Sequence, residues 1–339
     1  MLSKSSKKII NYGFGSLLFI WLCYSLYVQL TRQDNLHLSL EQMGRSLRTN
    51  WPAVLLVLLL MFLNWGIEAR KWQLLVRPFE SFTYRKAYYS ILAGVAISII
   101  TPNRVGEYGG RILFLRSGSR WKGASVTGVG SLSQFITTML FGVIGLLYFI
   151  GRFGAFPVPG QNLRVWEVLI LGVAVVLLVA ALLLYFHLDK LTGVFYRIKW
   201  LRRFRYFVRV IDTFSNRQLV HVLALSITRY LVFSAQYLIL LQVLGADLIW
   251  WQGFLLLFLI YLCLALIPTI AIAELGIRGE LSIWILGLVA TNHVAILAAT
   301  FGIWLINLLI PAIMGSILLP GIKIFNEEKE GKSPINPEQ

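Results

Sequence analysis

Charged residues stand inside stretches that are otherwise apolar: Arg104, Glu107, Arg111, Arg229, Glu274, Arg278 and Glu280. A charge at the centre of a bilayer costs about 2.5–3.5 kcal/mol even on a lenient insertion scale. Such residues must pair with one another, face water, or hold a ligand. Glu107 and Arg111 are four apart, as are Glu274 and Arg278, so each pair shares a face wherever its segment is helical. Gly106, Gly109 and Gly110 sit beside the first pair, and Gly276 and Gly279 beside the second. Glycine there suits close backbone approach or a turn with positive φ. Arginine outnumbers glutamate in this set, and guanidinium forks hold phosphate oxygens bidentately. A helix starting near Pro102 would add N-terminal amides that attract the same anion. The expected chemistry is recognition of an anionic headgroup, with Glu107 and Glu274 as gate or proton sites. The competing reading makes both pairs structural clamps.

Other chemistries lack their residues. His37, His187, His221 and His293 are scattered without metal-ligand spacing, so neither metal nor cofactor is expected. No nucleophile elbow, Walker A lysine or zinc-protease helix motif occurs. Cys23 and Cys263 lie in apolar runs and read as packing residues. A transporter is therefore expected ahead of an enzyme.

These residues must be positioned by membrane helices. The chain is 58% hydrophobic and 14% charged, against roughly 45–50% and about 25% in a soluble domain. The pattern predicts an all-α, polytopic membrane protein with full spans at 9–30, 51–69, 123–150, 165–187, 218–244 and 294–319. Two further apolar stretches, 87–100 and 251–267, break into the charged motifs and are read as re-entrant helical hairpins. Shifting 107 to 274 and 111 to 278 superposes Glu on Glu and Arg on Arg. The same shift carries 51–69 into 218–244, 87–100 onto 254–267 and 123–150 onto 290–317, while 9–30 overlaps 165–187. The expectation is one domain, 1–320, built of halves at about 9–150 and 165–319. With three spans per half, the second copy is inverted, a build common among secondary transporters.

The net charge of +16 supports an orientation. With the N-terminus inside, the tail carrying Lys4, Lys7 and Lys8, the segments 70–86, 111–122 and 188–217, and the C-terminal tail hold most of the 31 Lys and Arg. The outside segments 31–50, 151–164, 245–250 and 291–293 hold only Arg32, Arg45, Arg48, Arg152 and Arg164. Trp51, Trp166, Trp250 and Trp251 then mark the outer ends of runs, and Trp72, Trp121 and Trp200 the inner ends. Basic, aromatic segment 190–217 reads first as a loop that fixes topology and otherwise as an amphipathic helix on anionic headgroups, ahead of nucleic acid. Residues 321–339 read as a disordered cytoplasmic tail.

Pro102-Asn103-Arg104-Val105-Gly106-Glu107 with Arg111 resembles the P-x-R-x-G-E…R motif of the flippase-like transmembrane domain of lysylphosphatidylglycerol synthases. Ile267-Pro268 followed by Leu275-Gly276-Ile277-Arg278-Gly279-Glu280 is similar to that family's second motif, although Ala273 and Glu274 replace its usual glycines. The resemblance covers about residues 10–320 and implies the translocating half, with no synthase domain after residue 320. It implies movement of an anionic phospholipid or lipid-linked anion between the leaflets of the inner membrane. A second copy of the chain or a lipid-synthesis enzyme is the expected protein partner. The rival functions are a membrane-embedded transferase acting on a lipid phosphate, with Glu107 or Glu274 as base, and a non-transporting scaffold.

Overall fold

Apolar stretches in lipid become helices because no open strand or loop can satisfy its own backbone there. The computed structural model follows this rule over the residues it describes: 36–101, 105–154, 163–187, 214–267 and 271–318. Among the described residues there is no strand. The helices are α1 (Leu36–Thr49), α2 (Trp51–Val76), α3 (Tyr84–Ile100), α4 (Val105–Ile112), α5 (Arg120–Phe153) and α6 (Leu163–Phe186). They continue with α7 (Asn216–Val243), α8 (Trp250–Leu266), α9 (Ala271–Leu286), α10 (His293–Trp304) and α11 (Ile310–Leu318). A π-helical turn, Leu305–Leu309, joins α10 to α11.

Five helical stretches are long and apolar enough to cross a membrane: α2, α5 with its preceding turn, α6, α7, and α10 through α11. They coincide with the runs expected at 51–69, 123–150, 165–187, 218–244 and 294–319. The run 9–30, the basic segment up to residue 213 and the tail from 319 lie outside the described residues. The structure adds three details. Segment 31–50, expected to lie between spans, contains the helix Leu36–Thr49, whose Ser46 hydroxyl donates to Val243 O at 2.6 Å. The run ending at 69 continues as helix to Val76, which carries Lys71 into the bundle. Trp72 is fully buried against the bundle.

The helix ends are made locally. Ser215 and Gln218 form a reciprocal capping box at the start of α7. Pro52 opens α2, where its missing N–H leaves nothing unsatisfied. Between α3 and α4 the Thr101 hydroxyl accepts from Gly106 N at 2.8 Å and donates to Ile97 O at 3.2 Å. One side chain thus closes one helix and caps the next.

Glycine sets the distance between helices α3 and α4. A Cβ on Gly110 would stand 2.7 Å from Gly94 N, and one on Gly94 would stand 2.8 Å from Glu107 O. The pairing of 94 with 110 and of 97 with 106 makes the two helices antiparallel. Gly109, grouped with its neighbours by sequence, has nothing within 4 Å of a built Cβ. None of the three has positive φ; among the described residues only Gly154 and Gly245 do. Their use is close approach. Helix α5 lies against α8 in the same way, with Gly145 so near that a Cβ would stand 2.5 Å from Leu255 O. Helix α2 runs antiparallel to α7, as Gln236 reaches Val57 and Lys71 reaches Ser226. Helix α6 is the least buried of the five long apolar stretches.

Candidate functional site

Glu68 anchors the polar centre. Asn64, Glu68 and Lys71 recur at helical spacing on α2 and are all buried. The Glu68 carboxylate meets Lys71 Nζ at 2.8 Å, Arg229 Nη1 at 3.2 Å and Arg111 Nη1 at 2.9 Å. Arg111 also pairs with Glu107, one turn earlier on α4. Arg229, from α7, donates to Gln134 Oε1 of α5 at 3.3 Å. Lys71 reaches the Ser226 hydroxyl at 3.4 Å, and Ser226 meets Ser133 at 2.8 Å. Four helices are thereby tied by one network. Burying these charges singly would be prohibitive; mutual pairing makes the arrangement tenable. The Arg111 and Arg229 guanidiniums also lie over the Trp72 and Trp65 rings, at 5.9 and 5.3 Å from their centroids.

Two adjoining cavities open beside this network. One, of about 360 Å³, is lined by Glu68, Lys71, Arg111, Ser131 and Phe135. The other, of about 400 Å³, is lined by Tyr230, Phe233, Tyr261, Arg278, Trp304 and Asn307. Trp65, Glu107, Gln134, Thr138, Arg229 and Ala265 line both. In the larger one, Trp65 Nε1, Tyr230 Oη and Tyr261 Oη are buried without hydrogen-bond partners among the described residues. Buried donors in that condition are costly. Asn64 and Asn307 line one wall and hydrogen-bond to each other, and Asn307, supplied by the π-helical turn, donates on to the buried Gln236 behind it. The space is rich in donors and cations, and it is edged by aromatic and aliphatic side chains.

The fold brings Glu107, Arg111 and Arg229 together. Arg278 lies on α9 and lines the larger cavity. Gly276 and Gly279 are buried on α9, and Glu280 lies outside the lining of both cavities. Glu274 falls within α9, but its side chain is outside the described residues, as is all of Arg104. Glu68, Lys71, Gln134, Asn64 and Asn307 were not singled out. The available signal was the spacing of Asn64, Glu68 and Lys71 on one stripe of an apolar helix. Among the described residues, no cluster of His, Cys, Asp or Glu could hold a metal ion.

A helical, multi-pass membrane protein with a cation-lined cavity inside its bundle is the class that fold and site define. Residues 8–315 match the family described as the lysylphosphatidylglycerol synthase TM region, and the chain belongs to that family. Comparison with curated proteins and with solved structures returned no match.

Proposed function

We propose that the protein moves an anionic phospholipid, or another lipid carrying an anionic headgroup, between the leaflets of the inner membrane. One observation carries the reading: a donor-rich cavity, lined by Arg229 and Arg278 and flanked by the Glu68 network, lies inside a lipid-embedded bundle. Arg229 is the accessible cation of the network, its side chain 22% exposed against 3% for Lys71 and 8% for Arg111. A phosphate entering the cavity competes with Glu68 for Arg229 and takes Arg278 as its second fork. Trp65, Tyr230 and Tyr261 supply the remaining donors, while acyl chains stay in lipid.

The architecture proposed for this work is six spans and two re-entrant hairpins in an inverted repeat, with both termini cytoplasmic. In support, a shift of 167 positions carries Trp51–Val76 onto 218–243 and Tyr84–Ile100 onto 251–267, next to the bounds of α7 and α8. Transport is favoured over catalysis because the two carboxylates that line these cavities among the described residues are both engaged by cations. Glu68 answers three cations, and Glu107 is held by Arg111.

The test is leaflet exchange of fluorescent lipids in proteoliposomes, read by an impermeant quencher. Exchange of phosphatidylglycerol above protein-free vesicles is expected, with phosphatidylcholine slower. No exchange of any lipid would overturn the proposal. A changed lipid mass after incubation would favour the transferase.

A further inference from the structure

A third cavity, of about 460 Å³, lies away from the central network, where the end of α2 meets the start of α7. Arg70 and Arg77 enter it from α2, and Arg217 and His221 from α7. Their spacing accounts for the convergence: 70, 74 and 77 fall on one stripe of α2, and 217, 218, 221 and 222 on one face of α7. Because the two helices are antiparallel, these stripes meet. Among the described residues no carboxylate lines the cavity. Arg70 donates to Gln73 Oε1 at 2.6 Å, and no ion pair joins Arg77 or Arg217 to any described residue. Leu74, Pro78, Phe214 and Val222 form an apolar floor, of which Phe214 and Val222 are buried.

Three exposed guanidiniums around one concave space raise the local positive potential and favour an anion there. Basic residues that merely fix topology need only lie near the interface; they need not converge on a concave surface. The first turn of α7 contributes Arg217 and Gln218, so the partial positive charge of a 28-residue helix adds to the attraction.

We propose that this cavity binds a phosphate group, separately from the central cavity. The chemistry required is a phosphate monoester or diester, carried by a lipid headgroup or free in solution. The apolar floor suits the glycerol and first methylenes of a lipid. The site does not depend on the transport reading.

The experiment uses the full chain in phosphatidylcholine nanodiscs doped with a photoactivatable phosphatidylglycerol, with the label mapped by peptide. Label is expected in 70–78 and 214–222, apart from any in 261–265 at the central cavity. Arg77→Gln with Arg217→Gln should lower labelling of 70–78 and 214–222 about tenfold at limiting lipid, as expected for losing charge-assisted contacts. Labelling of 261–265 should be unchanged, which separates this site from the proposed transport site. Excess inorganic phosphate that abolishes the label identifies a free phosphate as the ligand; label resistant to it identifies the lipid. Wild-type protein without label in 70–78 and 214–222 overturns the proposal, whether or not the variant folds. So does equal labelling of the double variant.

Discussion

The position of Glu68 makes its charge more consequential than that of the more visible Glu107. Its carboxylate is 3% exposed and answers Lys71, Arg111 and Arg229 at once. Glu68→Gln leaves those cations with Glu107 alone, which touches only Arg111. The expected loss of stability is about 3–5 kcal/mol, the cost of breaking a buried ion pair from one side. Glu107→Gln should cost less, roughly 1.5–3 kcal/mol, because that carboxylate has one partner and is 27% exposed. Thermal unfolding in an uncharged detergent should rank the wild type above Glu107→Gln and Glu107→Gln above Glu68→Gln. The opposite ranking would mean that Arg111 finds its main support in α4. Glu107 and Arg111 were legible because a helical pair four apart sits between a proline and glycines in apolar sequence. Glu68 was not, because one acid near the end of a hydrophobic run looks like a boundary. Only the tertiary approach of Arg111 and Arg229 reveals that the boundary lies eight residues later, at Val76.

Helix pairing is where glycine acts, and its two roles separate cleanly in α4. Gly110 meets the backbone of Gly94, so Gly110→Ala must push α3 and α4 apart. Overpacking of this kind costs about 1–3 kcal/mol, and rigid backbone rather than a pliable side chain is what resists. Gly109, one residue earlier, faces open space. Gly109→Ala should be neutral or stabilise by about 0.5–1 kcal/mol through the gain in helix propensity. Melting temperatures of the two variants, measured side by side, check the assignment; equal effects would place both glycines wrongly. The broken segments were visible in sequence because Pro102 and Pro268, with charge and glycine after each, interrupt runs too apolar to be loops. Which glycine touches backbone was not visible, since all three share one short motif. Helix α1 and the π-helical turn were likewise hidden. One is too short and polar for a span, and the other leaves an unbroken apolar sequence while turning Asn307 toward Asn64 and Gln236.

Orientation and transport belong to the whole molecule, where the charge bias and the cavity have to agree. Single cysteines in a background lacking Cys23 and Cys263 test the bias with an impermeant maleimide on intact cells. Glu41→Cys should label from outside, whereas Ser81→Cys and Ser215→Cys, both exposed, should not. Glu80 is unsuitable as a reporter because it is buried, holding Lys86 at 3.3 Å and the Arg116 amide at 3.2 Å. The reverse pattern would invert the topology. The cavity makes a sharper demand. Arg229 and Arg278 come from α7 and α9 but line the same space. Arg111, by contrast, is committed to two carboxylates, so its loss confounds binding with folding. If one phosphate bridges Arg229 and Arg278, removing either arginine already disables the shared ligand, and removing the second costs less than it would alone. The coupling in a cycle of Arg229→Gln, Arg278→Gln and the double variant should be roughly 0.5–3 kcal/mol. It is read from the rate of phosphatidylglycerol exchange between leaflets at limiting lipid. Exchange of phosphatidylcholine should fall less, and its coupling should shrink, because no net negative charge then favours the two-armed site. A strictly additive cycle, or equal losses for both lipids, would assign these arginines to holding helices together rather than to reading a headgroup.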